Sequence, residues 1–148
     1  MDLTVGIGFP GLINAGVRAQ LNQAQIGFTV GSFPFSEYSL LTLSGDVYYH
    51  FGSQSRFSER DITYVKASLN YFKDENESEK DFKGLLGISA GRDYYFSHKV
   101  GINLDVGLFF KLIEIKSDKV SYPSSNSRKI SEWPLLTPYA AVALFYRL

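Results

Sequence analysis

The chain is predicted to be all-β, about eight antiparallel strands in up-and-down order closed into one transmembrane barrel over residues 1–148. Three observations lead there. Almost every segment alternates large apolar residues with small or polar ones at period two, the signature of a strand with two different faces. The polar face is built of Gly, Ser, Thr, Asn and Gln, with little of the Lys and Glu that dress a water-facing sheet. The aromatic residues, 16% of the chain, gather toward segment ends.

The first strand runs from Leu3 to Phe9, with Leu3, Val5, Ile7 and Phe9 opposite Thr4, Gly6 and Gly8. In the second, Ile13, Ala15, Val17, Ala19 and Leu21 alternate with Asn14, Gly16, Arg18, Gln20 and Asn22. A tight corner at Asn22-Gln23 leads to a third, with Ala24, Ile26, Phe28 and Val30 against Gln25, Gly27, Thr29 and Gly31. The fourth sets Leu41, Leu43, Gly45, Val47, Tyr49 and Phe51 against Thr42, Ser44, Asp46, Tyr48 and His50. The fifth sets Val65, Ala67, Leu69 and Tyr71 against Tyr64, Lys66, Ser68 and Asn70. A sixth, Lys83 to Tyr95, places Leu86, Ile88 and Ala90 opposite Leu85, Gly87, Ser89 and Gly91. The seventh alternates Val100 through Phe110 with Gly101 through Lys111, and the last, Leu136 to Leu148, alternates Ala140, Val142, Leu144, Tyr146 and Leu148 with Tyr139, Ala141, Ala143, Phe145 and Arg147. Most approach the roughly 9–11 residues that a tilted strand needs to cross a bilayer. No apolar run nears the roughly 20 residues of a membrane helix.

A soluble eight-stranded lipid carrier would show the same count and alternation, so the composition of the polar face decides. Small polar residues suit a crowded interior. If they point inward, the apolar sets form a continuous outward belt, which is tolerated in lipid. Closure then satisfies every strand's backbone groups, as hydrocarbon requires.

Two aromatic girdles are expected at the two interfaces. Tyr49, Phe51, Tyr64, Tyr94 and Tyr95 fall at one end, and Tyr71, Phe72, Phe109, Phe110 and Trp133 at the other. Connections are unequal. The corners at Asn22-Gln23 and Ser97-His98 are short, while Lys73–Asp81 and Lys116–Pro134 are long and polar. The segment Gly52–Asp61 lies on the short-turn side yet runs long, as an ordered turn that touches something would.

Over Leu3–Leu148 this pattern resembles the small outer-membrane β-barrel proteins of Gram-negative bacteria. The resemblance implies export with the help of a leader, although Met1-Asp2 leads straight into the first strand. It also implies a final strand read by the barrel-assembly machinery during biogenesis, with Leu144, Tyr146 and Leu148 as the signal and Leu148 standing where Phe is commoner. Outer-membrane lipid and lipopolysaccharide are the surroundings it implies.

Arg18, Asp46, Lys66 and Asp105 are the mid-strand charges on the inward face, expected to neutralise one another and to hydrogen-bond to Asn14, Asn70, Asn103 and Tyr48. An eight-stranded lumen is normally filled by side chains, so a solute pore is not expected. His50 could serve acyl transfer with Ser44 or Ser68 only if strands brought them together, because each same-face step along a strand is nearly 7 Å. The acidic run Asp74–Glu79 has no calcium-loop register, so no metal or cofactor is expected. Lys plus Arg and Asp plus Glu are balanced at 15 each, which speaks against a nucleic-acid surface, and the chain has no cysteine, which excludes thiolate chemistry.

The expected role is therefore non-enzymatic: a structural or interaction barrel, with a small subunit of a larger envelope complex as one form of it. Outward Ala15, Ala19 and Ala140 would let a membrane-protein partner approach closely. A membrane-embedded lipid-modifying enzyme or narrow transporter, and a soluble lipid-binding barrel, are the alternatives.

Overall fold

A computed structural model describes residues 1–9, 12–32, 39–75, 79–118 and 135–148. Its strands are β1 (Asp2–Phe9), β2 (Leu12–Leu21), β3 (Ala24–Ser32), β4 (Ser39–Ser55), β5 (Ser58–Glu75), β6 (Glu79–Tyr95), β7 (Val100–Asp118) and β8 (Leu136–Arg147). Each pairs antiparallel with the next, and β1 closes on β8, giving a meander barrel. One hydrogen-bonded row fixes the stagger. Beginning at Asp2 it passes through Arg18, Gly27, Asp46, Ser68, Gly87 and Phe109 and reaches Thr137, ten residues short of Arg147, the β8 partner of Asp2. A shear of this size tilts the strands, as closure of a sheet requires.

Both chain termini and the β2–β3, β4–β5 and β6–β7 turns share one end, called here the turn end; the other is the loop end. At the β2–β3 corner Asn22 has φ 55°, a left-handed conformation that asparagine tolerates and that suits a two-residue hairpin. Closure at the turn end is completed by the Leu148 N–H donating to the Met1 carbonyl at 3.0 Å.

The strands differ in height. β1, β2, β3 and β8 have 8 to 12 residues, and β4 to β7 have 17 to 19. The long connections expected at Gly52–Asp61 and Lys73–Asp81 are therefore mostly strand: β4 continues to Ser55, β5 begins at Ser58, and β6 begins at Glu79. Backbone pairing extended them because a polar sequence is no obstacle to a ladder outside an apolar band. The Lys116–Pro134 connection begins as strand to Asp118, and its remainder lies outside the described residues. Bulges interrupt β4–β5 after Phe51, and β6–β7 at Gly84/Leu85.

The two faces are sorted as the alternation predicts. Leu3, Val5, Ile7, Ile26, Phe28, Val47, Leu69, Ile88, Val106 and Leu144 are exposed on the outside, Val106 at 65%. Thr4, Arg18, Gln25, Ser44, Asp46, Lys66, Ser89, Asn103 and Asp105 are buried inside. This inverts the arrangement a soluble lipid carrier requires, in which large apolar residues point into the cavity.

Four girdle assignments need correction. Tyr64 (0% exposed), Phe72 and Phe109 are buried in the interior, and Tyr95 is half-buried with its hydroxyl among interior charges. They occupy the inward phase of their strands, and phase rather than position along the strand decides which face a ring joins. Tyr49, Phe51 and Tyr94 do stand outward at the turn end, with Tyr71 and Phe110 outward at the loop end. Trp133 lies outside the described residues.

Candidate functional site: the layered lumen

The interior glycines make room for the interior rings. A Cβ built at Gly91 would lie 2.5 Å from Tyr64 Cζ, one at Gly87 would lie 2.7 Å from Phe109 Cε1, and one at Gly27 would lie 3.2 Å from Tyr48 Cε2. Each ring lies over a glycine of a neighbouring strand, the packing by which aromatics cover strand glycines. The result is three layers of side chains across the lumen.

The loop-end layer is apolar. Phe72, Leu85 and Phe109 cluster with Tyr139, the Phe72 and Phe109 ring centroids 6.5 Å apart and those of Phe109 and Tyr139 4.9 Å apart, all edge-on. Edge-on contact aligns ring edges with ring faces and adds to the area term.

The middle layer holds the four charges expected inside. Lys66 Nζ donates to Asp105 Oδ2 at 2.8 Å and to the Tyr139 hydroxyl at 3.0 Å. Arg18 stacks on the Tyr48 ring at 4.5 Å, and with its amide oxygen toward Arg18, Asn103 accepts from both terminal guanidinium nitrogens at 2.6 and 2.9 Å. Asp46 accepts hydroxyls from Ser44 at 2.7 Å and Thr29 at 3.2 Å. Neutralisation is thus one direct ion pair, Lys66–Asp105, with Arg18 and Asp46 served by polar groups and a ring. Asn70 donates to Ser68 at 2.9 Å, away from the charges. Between this layer and the loop-end cluster lies a cavity of about 90 Å³ lined by Arg18, Asp46, Lys66, Asn103 and Asp105. That is room for a few waters, which such polar walls would hold.

The turn-end layer centres on Arg60, which belongs to the Gly52–Asp61 segment that the sequence predicts to be a long turn. Its guanidinium donates to Asp2 Oδ2 at 3.2 Å, Asp93 Oδ2 at 2.8 Å and the Tyr95 hydroxyl at 2.7 Å, and also to Gln20 Oε1. Arg147 reaches the other oxygen of Asp2 at 3.5 Å and donates to the Tyr95 hydroxyl at 3.0 Å. Gln25 donates to Asp2 at 3.0 Å. Two acids and two bases from β1, β5, β6 and β8 thereby tie four strands together around the mouth. Beyond them a bowl of about 710 Å³ faces outward, with Phe57 of the β4–β5 turn edge-on to His98 of the β6–β7 turn at 5.4 Å. A sequence signal for this layer existed: Ser58 and Arg60 are in phase with inward Tyr64 and Lys66, and Asp93 and Tyr95 with inward Ser89 and Gly91.

His50 is 1% exposed and engaged on both sides, its Nδ1 2.9 Å from the Asp61 carbonyl and its Nε2 3.2 Å from Gln25 Oε1. Ser44 is six residues away on the same strand, about 20 Å at strand rise, and Ser68 lies four residues along β5 from Tyr64, the cross-strand partner of His50. The strands do not assemble His50 with either serine. Leu144, Tyr146 and Leu148 are exposed on the outward face of the last strand and the residue after it.

No known protein family matches the sequence, and no characterised protein is similar enough in sequence to register. One solved structure is similar in fold: the crystal structure of the N-terminal β-barrel domain of Pseudomonas aeruginosa OprF, at 16% identity and a TM-score of 0.66, over 98% of this chain and 93% of that one. The chain therefore has the closed eight-stranded antiparallel barrel fold of that domain.

Proposed function

We propose that this chain is an integral barrel of a bacterial outer membrane with a structural or interaction role rather than a catalytic one. The observation that carries the proposal is the inversion of faces: a contiguous outward belt of Leu, Ile, Val and Phe around an interior of buried polar and charged side chains. In water such a belt would be a severe liability; in hydrocarbon it is the required surface, and closure removes the sheet edges. Tyr49, Phe51, Tyr94 and Tyr146 at the turn end, with Tyr71 and Phe110 at the loop end, are positioned to meet headgroups. Lipid and lipopolysaccharide would surround the belt, and the turn end with both termini would face the periplasm.

The filled lumen supports a role without solute flow. The outward wall that carries Ala15, Ala19 and Ala140 and the bowl at the turn end are where a larger envelope protein would contact the barrel. Leu144, Tyr146 and Leu148 would present the alternating apolar edge read by the assembly machinery.

Cell fractionation tests the membrane assignment. The exported chain should be recovered with the outer membrane, need detergent for extraction, and run faster on a gel before boiling than after. A monomer that stays in solution without detergent would contradict it.

A further inference from the structure

We infer that the outer wall carries a binding site for the phosphate of an anionic glycerophospholipid, built on Arg92 and Tyr94 at the turn end; the site rests on the membrane placement proposed above.

The outward phase of β6 runs Ile88, Ala90, Arg92, Tyr94. Among the described residues Arg92 is the one charged side chain on the outward face between the two aromatic rows. It is exposed, and its guanidinium lies 5.5 Å from the centroid of the Tyr94 ring. No described carboxylate comes within 4 Å of it, Asp61 included. Among the described residues no counter-charge reaches Arg92, which leaves its guanidinium available to an anion from outside the chain.

Its position selects that anion. A cation on the lipid face is costly near mid-membrane and cheap near the interface, and a long side chain bends toward the headgroups. Tyr94, two residues nearer the turn end, marks that level, and the guanidinium lies over its ring. The free edge of the fork then matches two phosphate oxygens. Thr63, the β5 partner of Arg92, brings a hydroxyl to the same row, and Leu104 on β7 continues that row as apolar surface for an acyl chain. A second cation lies on the same flank: Lys99 of the β6–β7 turn sits 5.9 Å from the Tyr146 ring, so two cation–tyrosine pairs border β7. A water-soluble anion would find no such apolar floor useful, whereas a phospholipid uses both parts.

The full chain, refolded into phosphatidylcholine vesicles, would be probed with spin-labelled phosphatidylglycerol and spin-labelled phosphatidylcholine. The wild type should associate with phosphatidylglycerol about fivefold more strongly, the effect of one cation beside an anionic headgroup. Arg92→Gln should remove most of that preference, while Arg56→Gln, in the exposed β4–β5 turn, should leave it intact. Equal association of both lipids with the wild type, or an unchanged preference in Arg92→Gln, would overturn the site while leaving the barrel in the membrane. Loss of the preference in millimolar inorganic phosphate would assign the site to a free anion and overturn the lipid. A chain that fails to enter vesicles in the heat-shifting form would overturn the membrane placement itself.

Discussion

Replacing Arg60 with alanine is expected to destabilise the barrel by about 3–5 kcal/mol, the cost of breaking a buried ion pair by removing one partner. Asp2 and Asp93, each 2% exposed, would keep their burial and lose the donor they share. Arg147 would compensate in part for Asp2, because it already lies 3.5 Å from the other oxygen, but its remaining bonds go to the Tyr95 and Ser58 hydroxyls and not to Asp93. Lysine at position 60 would restore less than half of the loss, since a single ammonium replaces a fork that reaches Asp2, Asp93 and Tyr95 together. Urea titration of the refolded barrel in vesicles, followed by the boiled-versus-unboiled gel shift, reads the effect. A loss below about 1 kcal/mol, the scale of an exposed pair, would mean that the turn-end layer is solvated and adds little.

Gly107→Val should be the most damaging single change in the wall, at or above the upper end of the roughly 1–3 kcal/mol typical of overpacking. A Cβ there would stand 2.5 Å from Ser89 Cβ and 2.6 Å from Ser89 Cα, and would also run into the Ile88 carbonyl oxygen. Those are backbone and near-backbone atoms of the paired strand, which cannot rotate aside as a side-chain tip could. Gly45→Val is the matched control. Gly45 stands on the outward face with nothing within 4 Å of a built Cβ, and valine favours strands, so the heat-shifting form should survive. Equal behaviour of the two variants would remove the close approach of β6 and β7 as the cause.

Most of the architecture was legible because a barrel with an apolar outside and a polar inside writes its faces into alternate residues. Val106 and Asp105, or Val47 and Asp46, are adjacent in sequence and opposite in environment. What alternation could not supply was the difference between position and phase. Tyr64 and Phe109 lie near the ends of the alternating segments in the sequence, which points to girdles, but β5 and β7 run on past them and their phase sends them inward over Gly91 and Gly87. Arg60 escaped for a related reason. Gly52–Asp61 is polar apart from Phe57 because it projects past the apolar band, and period two fades where neither face is held to one environment. Its link to Asp2 spans 58 positions and its link to Asp93 spans 33, pairings fixed by closure and shear rather than by any local pattern. The Lys66–Asp105 pair has the same origin: β5 and β7 meet across the lumen with β6 between them in the wall. Function was less legible than fold, since a lumen filled by mutual contacts leaves its ligand signals on the outer wall, as at Arg92.

The central claim, that the apolar face looks into lipid, is tested most directly along β7 in a chain that has no cysteine of its own. Single cysteines would be placed at Asn103, Leu104, Asp105, Val106 and Leu108, nitroxide-labelled, and measured in vesicles for collision with oxygen and with a water-soluble nickel complex. Leu104, Val106 and Leu108 should show high oxygen and low nickel accessibility, alternating with low oxygen accessibility at Asn103 and Asp105. High nickel accessibility at Leu104, Val106 and Leu108, or no period-two alternation, would contradict the inverted barrel.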